Sequence, residues 1–179
     1  MNIESGRKVV DFLFEQDAAN SRFVNKDNAH GLVIEFIGGE PLLAIDLIDY
    51  IMDYFIYKAI NLKHRWSTNF MISISSNGVD YFNPSVIAFM NKWYGRLSIG
   101  ITVDGNRELH DACRRFPNGD PSYELASKAF LDAKTRFSQT GTKLTISKDN
   151  LRFLSTACID MISDFGLSYL HGKIGRAHV

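Results

Sequence analysis

The residues 35–41 read Glu35-Phe36-Ile37-Gly38-Gly39-Glu40-Pro41, which is equally a well-capped βα turn or a stretch able to hold a ligand through bare backbone. Gly38 and Gly39 lack a Cβ, so the chain can turn sharply there and a small molecule can approach its amides and carbonyls closely. Pro41 pre-sets φ for a first helical position, where its missing N–H costs nothing. Polar groups gather further along the chain at Asn77, Thr102, Asp104 and Arg114. Asn77-Gly78 is equally an ordinary turn, and Asp104-Gly105 equally a loop starter. Arg114 offers a guanidinium that matches a carboxylate bidentately, or it is a surface-loop arginine. His110 and Asp111 have the types of a general-base pair; a hydrogen-bonded lock on the loop is the favoured reading. Glu35 stands among apolar residues, where a charge is costly unless it faces a polar lumen. Cys113 and Cys158 suit neither a metal clip nor a disulfide framework, and they read as packing residues.

The elements that must position these groups alternate between the two periodicities. Asn2 caps a first helix over Ile3–Gln16, with Val9, Val10, Leu13 and Phe14 on one face, and Asp17–Ala29 is a polar loop. The apolar run Leu32–Ile37 is a strand short enough to be buried in a parallel sheet. It is followed by a helix from Leu42 to Ala59, then by a basic loop, Asn61–Asn69, which reads as a solvated face. Met71–Ser75 is the second strand, Pro84–Trp93 a helix, and Leu97–Val103 the third strand. A long loop carries His110 to Arg114. A helix over Ser122–Ser138, a strand over Thr142–Ile146 and a helix over Leu151–Phe165 complete the pattern, and Gly166 is its C-terminal stop. Strands alternating with helices specify an α/β fold with a parallel sheet. Right-handed crossovers then bring the clusters at Gly38-Gly39-Glu40, Ser76-Asn77-Gly78 and Thr102-Val103-Asp104-Gly105 to one rim. A (β/α) barrel or half-barrel with its site on that rim is the economical arrangement.

Composition sets the class. At 179 residues, one domain with a real core is expected, and 45% hydrophobic residues with 12% aromatics exclude a disordered chain. Twenty basic residues cancel twenty acidic ones, so no field for nucleic acid or an anionic membrane is implied. No apolar run approaches the roughly 18 residues of a membrane span, and the N-terminal stretch lacks the apolar core of a signal peptide. A soluble, cytoplasmic protein is the expectation.

The ordered set Gly38-Gly39-Glu40-Pro41, Ser76-Asn77-Gly78, Val103-Asp104-Gly105, His110-Asp111-x-x-Arg114 and Gly119-Asp120-Pro121-Ser122-Tyr123 resembles the radical S-adenosylmethionine (SAM) peptide maturases, relatives of the anaerobic sulfatase-maturing enzymes. The resemblance runs from Met1 to about Leu170. It implies a partial (β/α) TIM-type barrel of the radical SAM core, with the first strand and the last strand or strands missing. It also implies that Gly38, Gly39, Glu40 and Pro41 contact the amino group of SAM, with Glu40 a turn and polarity device. Asn77 and Thr102 would line the ribose and methionine pocket, and Arg114 would pair with the SAM carboxylate. Residues 142–146 with Asn150-Leu151 are similar to maturases acting on Cys-repeat peptides. The intact parent would use SAM and a 4Fe-4S cluster, take electrons from a reductase or flavodoxin-type donor, and abstract hydrogen from a peptide or protein with a 5′-deoxyadenosyl radical.

The chain departs from that family at its redox centre. The CxxxCxxC motif that holds the cluster is absent, and two distant cysteines cannot replace it. Met1 therefore reads as an internal methionine, and the fragment itself is expected to be inactive. Residues 174–179, Ile174-Gly175-Arg176-Ala177-His178-Val179, match a translated sequencing adapter and are set aside as a non-native tail. Residues 1–173 remain as one partial core domain. Without a preceding strand, Leu32–Ile37 is expected to present an open edge. The rival reading is a cluster-less module with the same barrel that grips a peptide or nucleotide without chemistry. A third is an unrelated barrel enzyme using His110 and Asp111.

Overall fold

The computed structural model describes residues 2–21, 31–137, 140–146, 148 and 150–167, with the backbone of 171–174. His30, most of the expected loop up to Ala29, and residues 175–179 lie outside the described residues.

Six helices and five strands follow one another among the described residues. Helix α1 spans Ile3–Ala18, and the Asn2 side chain caps it by accepting from the Ser5 N–H at 2.9 Å. Strand β1 is Leu32–Phe36 and leads through a 3-10 turn at Pro41–Ala44 into α2, Ile45–Asn61. Strand β2 is Phe70–Ser76, α3 Pro84–Lys92, and β3 Leu97–Thr102. The long loop contains a short helix, α4, Arg107–Cys113, before α5, Tyr123–Arg136. Strand β4 is Thr142–Ile146, α6 Leu154–Phe165, and β5 His171–Ile174. Gly166 ends α6 at φ +56°, the left-handed cap that glycine adopts without strain.

All five strands are parallel and stand in chain order, β1-β2-β3-β4-β5. This is a curled α/β half-barrel, a partial TIM-type barrel. The four expected strands are present. The short fifth strand was not expected, because a run with Gly172 and Lys173 has little strand propensity of its own; pairing with β4 creates it, and it takes in Ile174 opposite Ile146.

Alternation along each strand sorts side chains onto two faces. Phe70, Ile72, Ile74, Leu97, Ile99, Ile101 and Leu144 are buried in the core against the helices, together with Met52 and Phe55 of α2, Met90 of α3 and Phe130 of α5. Fully burying one such aliphatic or aromatic side chain contributes about 1.5–3 kcal/mol. The opposite, concave face carries Ser73, Ser75, Ser98, Gly100, Thr102 and Lys143, all half-buried, and Glu35, which is exposed opposite Ser73 in register. Glu35 thus stands on an open polar face. Beyond β1 the sheet edge is free of any described strand, and Val33 and Ile37 on it are 64% and 63% exposed.

The basic loop is not a solvated face. His64 Nε2 lies 2.9 Å from Asp17 Oδ2, Arg65 pairs with both carboxylate oxygens of Asp17, and Asp17 itself is buried. The end of α1 is thereby pinned to the turn before β2.

Candidate functional site

At the C-terminal ends of β1 to β4 lies a cleft of about 630 Å³. Six of the seven residues expected at a ligand site line it: Gly38, Gly39, Glu40, Asn77, Thr102 and Arg114. Pro41 does not; it is buried in the 3-10 turn, where it starts the turn that points the chain into α2. Gly38 and Gly39 have φ of +94° and +54°, left-handed values that cost glycine little, and a Cβ placed on either would meet no heavy atom within 4 Å. Their backbone is therefore open to an approaching ligand.

Glu40 is fully engaged within the protein. Its Oε1 accepts from the Leu42 N–H at 3.0 Å and from the Ser76 hydroxyl at 2.7 Å, and its Oε2 accepts from the Asn77 N–H at 2.8 Å. It caps the turn after β1 and ties that turn to the end of β2, a positioning role in keeping with a turn device. The Asn77 side-chain carbonyl accepts from the Val79 N–H at 2.9 Å, so the turn reading of Asn77-Gly78 is realised while Asn77 also faces the cleft.

Arg114 is neither a surface arginine nor an idle cation. It is 7% exposed, pairs through Nε with the Asp104 carboxylate, and donates through Nη2 to Thr145 Oγ1 at 3.3 Å. Asp104, 1% exposed, also accepts from the Thr145 N–H through Oδ1 at 2.5 Å. Loop and sheet are joined there by one buried ion pair.

His110 and Asp111 lie behind the cleft wall. His110 Nδ1 accepts from the Asp104 N–H at 3.1 Å, which leaves the ring proton on Nε2, 3.1 Å from the Ser122 hydroxyl oxygen. Ser122 in turn donates to the Arg114 carbonyl at 2.9 Å. His110 is fully buried, and burial pulls its pKa down to about 4. Asp111 Oδ1 accepts from the Ser122 and Tyr123 N–H groups, both at 2.9 Å, and so caps α5 from outside. Both residues lock the loop, and neither lines the cleft.

The cleft also contains Ser75, Asp80 and Lys143, which the sequence reading passed over. Lys143 Nζ donates to Ser75 Oγ at 2.7 Å. The strand alternation of Thr142–Ile146 held the signal, since it places 143 and 145 on one face.

An open glycine backbone beside polar side chains fits an amino-acid-bearing nucleoside such as SAM. A 4Fe-4S cluster does not fit these residues: among the described residues no group of three or more His, Cys, Asp or Glu could hold a metal. No described helix is long and apolar enough to cross a membrane.

No family model matches the chain. Solved structures share the fold. The radical SAM enzyme anSMEcpe, an anaerobic sulfatase-maturating enzyme, with bound AdoMet superposes at a TM-score of 0.64 and 20% identity, over 83% of this chain and 39% of that one. Its complex with AdoMet and the Kp18Cys peptide gives 0.63 and 19% identity, over the same 83% and 39%. In sequence, an uncharacterized protein of Methanocaldococcus jannaschii, MJ0907, is 26% identical over 156 residues, 86% of this chain and 46% of that protein. The chain therefore spans less than half the length of the relatives it matches.

Proposed function

We propose that the cleft binds SAM and that the chain is part of a radical SAM enzyme that modifies a peptide or protein. The observation that carries the reading is the cleft itself. Gly38 and Gly39 present open backbone at the end of β1, and Asn77 and Thr102 stand at the ends of the next two strands. Ligands of parallel α/β folds sit at that end of the strands. The fold matches a SAM-binding enzyme whose structures include bound peptides, which supports the same ligand classes here.

In this reading, carbonyls at Gly38 and Gly39 accept from the amino group of the methionine part, and Glu40 holds their turn in place. Asn77 and Thr102 contact the ribose and methionine portions. SAM, once bound, supplies the adenosyl group for hydrogen abstraction. The described residues bind and orient it, and the concave face of Ser73, Ser98 and Glu35 leaves room for the peptide. The donor of electrons, of the reductase or flavodoxin type, belongs to the parent enzyme, as does a cytoplasmic setting.

Isothermal titration of the purified chain with SAM tests this directly. Saturable binding is expected, weakened by Gly39→Val, which adds a branched side chain at a left-handed position on the cleft rim, while circular dichroism shows the fold intact. A wild-type chain that is folded and shows no heat of binding at millimolar SAM refutes it.

A further inference from the structure

One ring holds the cleft wall from behind. Arg114 and Thr145 line the cleft, and buried Asp104 joins them, pairing with Arg114 Nε and accepting from the Thr145 N–H. His110 does not line the cleft, yet it reaches the backbone of both members of the ion pair. Its Nδ1 accepts from the Asp104 N–H at 3.1 Å. Its Nε2 lies 3.1 Å from Ser122 Oγ, and that hydroxyl donates to the Arg114 carbonyl at 2.9 Å. The His110 carbonyl also accepts from the Arg114 N–H at 2.7 Å. The two ends of the ring demand the same tautomer. A backbone N–H can only donate, so Nδ1 must be bare; the Ser122 hydroxyl has spent its one proton on Arg114, so it must accept from Nε2. Burial, which pulls the pKa down to about 4, keeps the ring in this neutral form at neutral pH. Among the natural side chains only imidazole carries an acceptor and a donor on one rigid ring.

We infer that His110 is a positioning residue of the cleft: by clamping the backbone of Asp104 and Arg114 it sets where Arg114 and Thr145 meet the ligand, and so how tightly the cleft binds. This rests on the reading of the cleft as a SAM site. With the ring nitrogens removed, the buried Asp104 N–H loses its acceptor and the Ser122 oxygen its donor, and the loop end of the ion pair can shift against β4. A binding constellation must be held within about 0.5 Å of its productive geometry by supporting hydrogen bonds of this kind. The role differs from general-base chemistry, for which a ring nitrogen would have to stand within reach of the substrate.

Calorimetric titration with SAM of the wild-type chain and a set of variants tests the clamp. His110→Phe keeps a ring without either nitrogen, His110→Asn returns an amide near the Nδ1 position, and His110→Gln returns one near Nε2. Phe55→Leu is the control for lost stability alone. Phe55 is fully buried against Phe70, which opens β2 at the end of the sheet away from the cleft. Loss of two buried hydrogen bonds predicts at least about tenfold weaker SAM binding by His110→Phe. His110→Asn and His110→Gln should each recover part of it, and Phe55→Leu should keep wild-type affinity. The Arg114 Nε–H resonance in nitrogen-edited NMR spectra of the ligand-free proteins reads the clamp independently. It should move in His110→Phe and stay in place in Phe55→Leu. Wild-type affinity in His110→Phe, or a loss of the same size in Phe55→Leu, overturns the inference and leaves SAM binding standing. If His110→Phe does not fold, the Asn and Gln variants carry the comparison, and wild-type affinity in both overturns it. A folded wild-type chain with no heat of binding refutes the SAM reading by itself. The resonance then decides: an unmoved signal overturns the clamp, and a displaced one upholds it.

Discussion

Replacing Asp104 by Asn tests the buried junction on which the cleft wall depends. The carboxylate is 1% exposed, pairs with the 7% exposed Arg114, and accepts from the Thr145 N–H. Removing one partner of a buried ion pair costs about 3–5 kcal/mol, because the other charge is left uncompensated. The Asn side chain keeps an oxygen for the Thr145 N–H, so we place Asp104→Asn near the lower end, at about 3 kcal/mol. Arg114→Met should cost a similar amount. The double variant should cost clearly less than the sum, since neither charge is then stranded; a coupling of about 1–3 kcal/mol is expected. Urea unfolding followed by far-UV circular dichroism reads all four proteins, with the slope of the transition checked for constancy. Additive losses, or a loss below about 1 kcal/mol for Asp104→Asn, would refute the claim that this pair is the junction between loop and sheet.

Two further outcomes follow from the same geometry. His110 has a folded pKa of about 4 against 6.5 for the free side chain, so the unfolded chain binds the extra proton first. Its contribution to stability is complete above pH 6.5 and declines as pH falls toward 4, by roughly 3 kcal/mol in all; His110→Gln should flatten the urea midpoint across that window. Gly78 has φ +80°, and an added Cβ would lie 2.8 Å from Ile101 Cγ2 and 3.1 Å from Ala129 Cβ. Gly78→Ala should therefore destabilise by about 2 kcal/mol, and a thermal midpoint equal to wild type would contradict the packing described here.

Much of the scaffold was legible because its signals are local. The run from Val33 to Ile37, the two glycines and Pro41 specify a strand, a turn and a helix start within a few residues, and the structure has them in that order. The strands at Phe70–Ser76, Leu97–Thr102 and Thr142–Ile146 were visible for the same reason. What stayed hidden depends on partners remote in sequence. Nothing near His64 and Arg65 announces Asp17, so a buried ion-pair cluster read as a solvated loop. Arg114 has its partner ten residues back, across a turn whose path periodicity does not reveal. Lys143 becomes notable only once Ser75, two strands away, is known to lie within hydrogen-bond reach.

The chain-order sheet bears on how this protein reaches its native state. Each strand pairs with the one before it, and the first register pairs are Leu32 with Phe70, Ile72 with Leu97, Ile101 with Thr142, and Lys143 with His171. The loops closed by these pairings run from 25 residues for β2–β3 to 41 for β3–β4. Closure entropy grows only with the logarithm of loop length, so the longest costs just about 0.4 kcal/mol more than the shortest. No strand must wait for one made much later, and each strand–helix unit can dock as it leaves the ribosome. The cleft, drawn from the ends of β1 to β4, is then assembled progressively and completed when β4 brings Lys143 within reach of Ser75.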